Sequence, residues 1–508
     1  MAFTIALLAS LAVYLALYIS RLDQVPPYLN QDEAGFGLAS YLLATTGRDQ
    51  IGNFLPPYIV YFDHRELGNA MICYLGIPFV AALGLSSTSL RLAMVLAGLI
   101  SLILFGSLSW QITRNRWLSL AGMAMMALTP LFFIQSRIYL DPILTVPFIT
   151  GWLLCLALFE RSRNSRYILI ASLVLGIGAY SYSTARMLMP MYLVLTLAIL
   201  LVSRGCSGRT ALSAIGIFVL CLLPMIGFVI QNGDLYTARI RDISWLTRGG
   251  VAPQAPVSTF LAHYLAHFDP VDLFISGDRS PIHSTGQAGV FLRGTVPLAL
   301  LGLVTLAGSA IRQRSRLAML LLAAFVLFPV PNALLAEVHR PVRAAHLIPL
   351  YLVVCIVGLE AVVGARFVRS RANVVLVGVM MVLAVESTPF FVDYFTGYPL
   401  RAVANDYFNG NKPQAFQAIM EKSPQGFYYD KEDSMDSTFA LFFQAAHGYS
   451  GSSRAIEPSQ SAELSPGTWL LTRRPEKYSG LFDEVMSIPE AAEGPRGEYV
   501  LMRRRGPS

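Results

Sequence analysis

Asp32 and Glu33 are adjacent carboxylates in Tyr28-Leu29-Asn30-Gln31-Asp32-Glu33-Ala34-Gly35-Phe36-Gly37, just after a membrane-length apolar run. An ionised carboxylate can take the proton of an attacking hydroxyl, which is general-base work. Arginine supplies the complementary chemistry, because its planar guanidinium matches phosphate oxygens through paired N–H donors. Arg137 with Asp141, Tyr182 with Arg186, and His339, Arg340 and Arg343 stand in three further short polar stretches, and Asp63-His64-Arg65-Glu66 makes a fourth. Each group also has a plainer reading. An acid at a helix start caps free amides and suits the helix dipole, and an arginine at a membrane-helix end anchors by snorkelling. Arg91 and Arg293 are read as anchors of that kind.

The elements that must position these residues follow from composition. The chain has 508 residues, 55% hydrophobic and 14% charged, with a mean hydropathy of +0.54, against about 25% charged for a soluble chain. It reads as a polytopic protein whose surroundings are the lipid bilayer. The formal charge of +7 is carried by short arginine clusters between apolar runs, a mark of membrane topology rather than of a nucleic-acid-binding face. The five cysteines are widely spaced and show no CxxC pair, so neither a disulfide framework nor a thiolate metal site is indicated. The run from Phe3 to Ser20 lacks a basic leader and a cleavage motif and is taken as a retained first span.

Spanning helices need about 20 apolar residues, and Arg and Lys favour cytoplasmic loops. Five basic clusters therefore mark inner ends: Arg114/Arg116, Arg161/Arg163/Arg166, Arg204/Arg209, Arg312/Arg314/Arg316 and Arg366/Arg369/Arg371. Each interval between clusters must go out and return, and each contains one outer polar stretch, the longest being residues 231–292. Three apolar runs precede Arg114, and parity allows only two of them to cross. The middle run, 67–85, contains Gly76, Pro78 and Gly84 and is read as interfacial or re-entrant, so 21–87 forms one large outer loop. The fold class expected is an all-α polytopic membrane protein of about eleven spans in residues 1–392. Residues 393–508 follow as a small outer α/β domain with strands near 426–429, 468–472 and 498–502, a helix over 437–447 and a disordered Arg503-Arg504-Arg505 tail.

On this topology nearly all unusual polar residues fall on the outer face, while the inner loops are short and basic. Carboxylates beside arginines at headgroup level suit group transfer from a lipid-linked phosphate. No Walker or GxGxxG loop is present, which leaves nucleotide-driven transport without support. His263, His267 and His283 show no ligand spacing; a divalent metal stays open and no cofactor is required.

The motifs then align, in order, with a known family. Asp32-Glu33-Ala34-Gly35-Phe36, Thr46-Gly47-Arg48-Asp49 with Gly52-Asn53-Phe54-Leu55-Pro56, Ser89-Leu90-Arg91-Leu92, Ser136-Arg137 with Asp141, Tyr182 with Arg186, and Arg343 with Pro349 together resemble the bacterial relatives of protein O-mannosyltransferases and the lipid A aminoarabinose transferase. These are membrane glycosyltransferases of the C superfamily (GT-C). The resemblance spans residues 20–400. It implies inverting transfer of a sugar from a polyprenyl-phosphate donor to an acceptor (a glycolipid, polysaccharide or protein) outside the plasma (inner) membrane. It implies Asp32 as base and Glu33 as its structural or acceptor-side neighbour, with Arg343, Arg137 and Arg340 on the donor phosphate. Asp141, Tyr182, Arg186, Arg65, Glu66 and His339 are then supporting or acceptor-side residues. The rival class is a transporter or flippase of a lipid-linked glycan; it should place ionisable groups near the bilayer midplane and show paired broken helices. A membrane-anchored scaffold explains neither the arginine–carboxylate collection nor the number of spans.

Overall fold

The computed structural model describes residues 2–61, 66–246, 256–336, 340–431, 436–489 and 498–506. In chain order the helices are α1 (Ala2–Ile19), α2 (Gln31–Thr46), α3 (Ala70–Leu83), α4 (Ser87–Thr113), α5 (Arg116–Leu128), α6 (Pro130–Gln135), α7 (Thr145–Ser162), α8 (Arg166–Gly178), α9 (Ala185–Val202), α10 (Gly208–Gln231), α11 (Gly233–Ile243), α12 (Pro256–Ala266), α13 (Val296–Arg312), α14 (Arg316–Leu327), α15 (Val330–Ala333), α16 (Leu347–Gly364), α17 (Ala372–Val392), α18 (Ala402–Tyr407), α19 (Lys412–Lys422) and α20 (Asp436–His447). Eight helical stretches, those containing α4, α7, α9, α10, α13, α14, α16 and α17, are long and apolar enough to cross a membrane. The apolar helices α1, α3, α5 and α8 are shorter, so eight of the about eleven expected crossings have the length and composition of a span among the described residues. The run read as interfacial forms α3, a 14-residue helix containing Pro78.

The chain divides into two compact units: Met1–Ser20, Asn69–Ile72 and Met94–Phe391 in the first, and Arg21–Gly68, Cys73–Ala93 and Val392–Ser508 in the second. This differs from the division at residue 392 expected from sequence. The first outer loop is grouped with the C-terminal part, because its apolar residues are packed there.

In the first unit the basic joints turn tightly. Arg114, Arg163, Arg204 and Arg314 each adopt a left-handed conformation, with φ of 56°, 56°, 51° and 52°, and a left-handed residue ends a helix by breaking its ladder. Helices α13 and α16 approach through glycines: a Cβ on Gly302 would run into the Val354 carbonyl, and one on Gly358 into the Leu298 carbonyl. Small residues let backbones meet where lipid offers no hydrophobic drive for association. Pro224 interrupts α10, and there the Tyr180 hydroxyl donates to Cys221 O (2.8 Å) and accepts from Met225 N (3.1 Å). A side-chain hydroxyl thus re-satisfies ladder groups at a kink.

The second unit holds the hairpin β1 (Tyr58–Tyr61) and β2 (Glu66–Asn69, the last residue belonging to the first unit), and a five-stranded sheet of β3 (Gly426–Asp430), β4 (Ser452–Ile456), β5 (Trp469–Thr472), β6 (Phe482–Ile488) and β7 (Tyr499–Arg504) in the order β4-β3-β5-β7-β6. Strands β4, β3 and β5 are parallel, while β7 is antiparallel to both β5 and β6. Ile456, Leu470, Tyr478, Phe482, Val500 and Met502 form its core on one face. The expected disordered arginine tail is instead ordered: β7 runs through Arg504, whose guanidinium donates to the Ser461 and Ala462 carbonyls, and Arg505 pairs with Asp483 at 2.7 Å. Helix α20 packs on α2, with Phe442 against Gly37 and the Phe443 ring stacked 5.8 Å from Tyr28.

Candidate active site

Within the second unit, the Asp32 segment is a tightly built helix start. Asn30 is the N-cap of α2: its Oδ1 accepts from Glu33 N (3.0 Å), and Glu33 Oε2 accepts from Asn30 N (2.9 Å) and Asn30 Nδ2 (3.2 Å). This is a reciprocal capping box. The cap is therefore Asn30 and not, as the plainer sequence reading had it, an acid of the pair. Glu33 Oε1 accepts from Arg91 Nε at 3.2 Å, and both side chains are fully enclosed. Arg91 Nη1 donates to Leu22 O (3.0 Å) and Pro26 O (3.1 Å), and Nη2 to Tyr28 O. Arg91 is thus no snorkelling anchor. It is a buried brace that ties the incoming loop to the helix start, and Glu33 is its counter-charge, closed off from any acceptor. Burial also pushes the Tyr28 phenol up, with Arg91 opposing and Glu33 reinforcing the shift.

Asp32 occupies the second helical position of α2 and is half-buried. Adjacent helical residues diverge by about 100°, which separates Asp32 from the enclosed Glu33. Farther along α2, Leu38, Tyr41 and Leu42 face Leu441, Gln444, Ala445 and Tyr449 across an open groove of about 570 Å³. Arg65 lies outside the described residues, as does the side chain of Glu66, although its backbone begins β2.

Within the first unit, two groups assemble. Asp141 accepts from Asn69 Nδ2 at 2.6 Å, and Asn69 Oδ1 accepts from Arg186 Nη2 at 2.8 Å. The Arg186 guanidinium sits 5.1 Å from the Tyr236 ring centroid. Asp141 and Arg186, from separate loops, are therefore linked through one buried amide, Asn69, that the sequence reading did not single out. Tyr182, on the same turn as Arg186, is half-buried.

The second group surrounds the turn Pro341–Ala344. Asp278 accepts from Val342 N at 3.0 Å and from Ser280 N at 2.9 Å, and Asn332 Nδ2 donates to Arg343 O at 3.3 Å. These bonds fix the backbone that presents Arg340, exposed, and Arg343, half-buried. His283 is half-buried beside them, with Nδ1 2.9 Å from Gln135 Nε2. Burial above all holds His283 down to about 4; Asp278 pulls the other way, while Arg340 and Arg343 reinforce the neutral form. A neutral imidazole accepting from Gln135 is consistent with that. His339 lies outside the described residues.

Arg137 has a different occupation from the phosphate contact expected of it. It is fully buried, and its Nη1 donates to Leu17 O (3.1 Å) and Tyr18 O (2.6 Å) while Nη2 donates to Ser20 O (2.8 Å). It closes the carbonyl end of α1, where helical C=O groups lack partners. Among the described residues no three His, Cys, Asp or Glu side chains gather as a metal-binding group.

No family model matches the chain, and no curated protein matches it in sequence. Its structure is similar to the crystal structure of ArnT from Cupriavidus metallidurans in the apo state, with a TM-score of 0.59 at 14% identity, covering 100% of both chains. It is also similar to ArnT from the same organism bound to undecaprenyl phosphate, with a TM-score of 0.53 at 13% identity over 99% of each chain. At such identities the likeness shows the fold alone, and that fold is shared with ArnT over the whole length of both chains.

Proposed function

We propose that this chain is an inverting glycosyltransferase that moves a sugar from a polyprenyl-phosphate donor to a glycolipid, polysaccharide or protein acceptor on the outer face of the plasma (inner) membrane. The observation that carries the reading is the division of labour in the acidic pair. Glu33 is spent on Asn30 and Arg91, which leaves the proton-accepting role to Asp32, at the second position of the same helix. The full-length likeness to a fold seen with undecaprenyl phosphate supports a lipid phosphate as the donor's leaving group.

In this reaction an acceptor hydroxyl attacks the anomeric carbon, its proton passes to Asp32, and the bond to the carrier phosphate breaks with its electron pair. Negative charge grows on the departing phosphate. Arg343 and Arg340, on a turn fixed in advance by Asp278 and Asn332, are assigned to it; donors held in place lower the barrier because they need no reorganisation. Arg137 is not retained in this role, since its donors serve α1. Asp141, Asn69, Arg186 and Tyr182 are assigned to the acceptor side.

The test is turnover of purified protein with a polyprenyl-phosphate sugar and acceptor lipid or peptide. Asp32→Asn should lower kcat by about 10² to 10⁴ with donor binding nearly intact. Arg343→Ala should weaken donor binding and lower kcat together. Unchanged turnover in Asp32→Asn removes it as the base.

A further inference from the structure

The C-terminal domain carries a second collection of polar groups. Strand β5 ends in Thr472 and is followed by Arg473 and Arg474; β3, parallel to it, ends in Asp430. Helix α19 connects directly into β3, so its start, Asn411 and Lys412, lies at the same end of the sheet, and Arg473 Nη2 donates to Asn411 Oδ1 at 3.2 Å. The carboxyl ends of parallel strands are where open α/β sheets bind ligands, and helix starts favour anions.

Two side chains there, Asn411 and Arg473, carry enclosed donors without a partner among the described residues. Asn411 is 5% exposed, yet among the described residues its Nδ2 has no hydrogen-bond partner, and neither do the buried Nε and Nη1 of Arg473. The Arg473 guanidinium lies 4.2 Å from the Tyr499 ring centroid, and the fully buried Lys412 ammonium lies 4.2 Å from that of Phe439. Of the neighbouring acids, Asp430 is engaged by Thr472 Oγ1 at 3.3 Å and Arg474 Nε at 3.5 Å, and Glu457 by Lys431 at 2.7 Å; residues 432–435 lie outside the described residues. Enclosed donors without acceptors are costly, and an oxyanion would satisfy several at once.

We infer that Asn411 and Arg473, beside Lys412 at the start of α19, form an oxyanion subsite for a phosphate-bearing group. Asn409, two residues before Asn411, donates through Nδ2 to Leu29 O at 3.1 Å, joining this helix start to the segment that carries Asp32. The natural occupant is then a phosphate on the acceptor, an assignment that rests on the proposed transferase reaction; the anion binding itself does not.

The experiment titrates inorganic phosphate, at constant ionic strength, into full-length Arg343→Ala protein in phosphatidylcholine nanodiscs, so that the donor-side arginine does not contribute. Saturable binding is expected, and adding Arg473→Met should weaken it by about ten- to hundredfold, with Arg473→Lys in between. Displacement of bound phosphate by phosphatidic acid placed in the nanodisc identifies a lipid headgroup as occupant, and phosphate binding without that displacement identifies a soluble one. Should Arg473→Met fail to fold, Asn411→Ala provides the same readout. Absence of saturable binding, or binding indifferent to both substitutions, overturns the subsite. If phosphate binds as expected while wild-type protein transfers no sugar, the transferase reading fails and the subsite stands.

Discussion

Glu33 and Arg91 share a fully enclosed ion pair, and the cost of breaking such a pair from one side exceeds its net worth, because the remaining charge stays buried alone. Arg91→Met should therefore lower stability by about 3–5 kcal/mol, while the double variant Arg91→Met/Glu33→Gln regains much of the loss; thermal unfolding of the four proteins of this cycle in one detergent checks it. Titration gives a second residue-scale expectation. Native His283 binds a proton only below about 4, whereas an unfolded histidine does so near about 6.5. Between those values the unfolded chain holds more protons, so stability falls as pH drops from about 6.5 towards 4, by up to about 3 kcal/mol from this group, and this group adds no further slope below that window. His283→Gln, which still offers Gln135 an acceptor, should flatten that slope in unfolding measured against pH. At this scale the sequence showed the chemistry of the charged residues better than their surroundings. Asp32 stood out by type and place. Arg91 passed for an anchor because the carbonyls that enclose it, those of Leu22, Pro26 and Tyr28, come from a loop more than 60 residues earlier in the chain. Asn69, Gln135 and Asp278 carry no motif, and only tertiary contact gives them a role.

Helices were legible because hydropathy and charge speak directly to a bilayer: α1, α4, α5, α7, α8, α9, α10, α13, α14, α16 and α17 all form where apolar runs alternate with basic joints. Strands β4 and β6 were missed. Ser452–Ile456 includes two serines and an arginine, and Phe482–Ile488 carries Asp483 and Glu484 near its start; both are edge strands of the sheet, where polar residues are tolerated and the alternation signal fades. Register between helices is also invisible in hydropathy, yet it makes a sharp prediction. Gly358→Ala puts a methyl where the Leu298 carbonyl stands, so α13 and α16 must separate, at a cost of about 1–3 kcal/mol or more. Gly308→Ala on the same α13 meets nothing within 4 Å and should be neutral or gain up to about 1 kcal/mol from helix propensity. Unfolding temperatures of the two variants side by side separate a packing requirement from a general dislike of substitution in these helices.

For the molecule as a whole, the consequential finding is that residues 21–68 fold with the C-terminal part. Length and charge divided the chain at the last span, because composition changes there; they could not show that the first outer loop, over 300 residues earlier in sequence, packs its apolar side on the residues beyond that span. Within that unit Arg21 Nη1 donates to Phe395 O (2.6 Å), Leu29 O accepts from Asn409 (3.1 Å), Tyr28 stacks on Phe443, and Phe442 touches Gly37. A chain ending at Val392 loses all four supports and exposes the face of α2 that α20 covers. If the C-terminal domain served acceptor choice alone, removing it would leave turnover with a broadened acceptor range. The packing requires a stronger outcome. Truncation should release hydrogen-exchange protection across 21–47, leave α13 and α16 protected as the internal reference, and abolish transfer to every acceptor, because the helix start that orients Asp32 is no longer braced. Retained protection over 21–47 in the truncated chain would show that Arg91 and the capping box hold that helix start without help, and would return the domain to the narrower role of reading the acceptor.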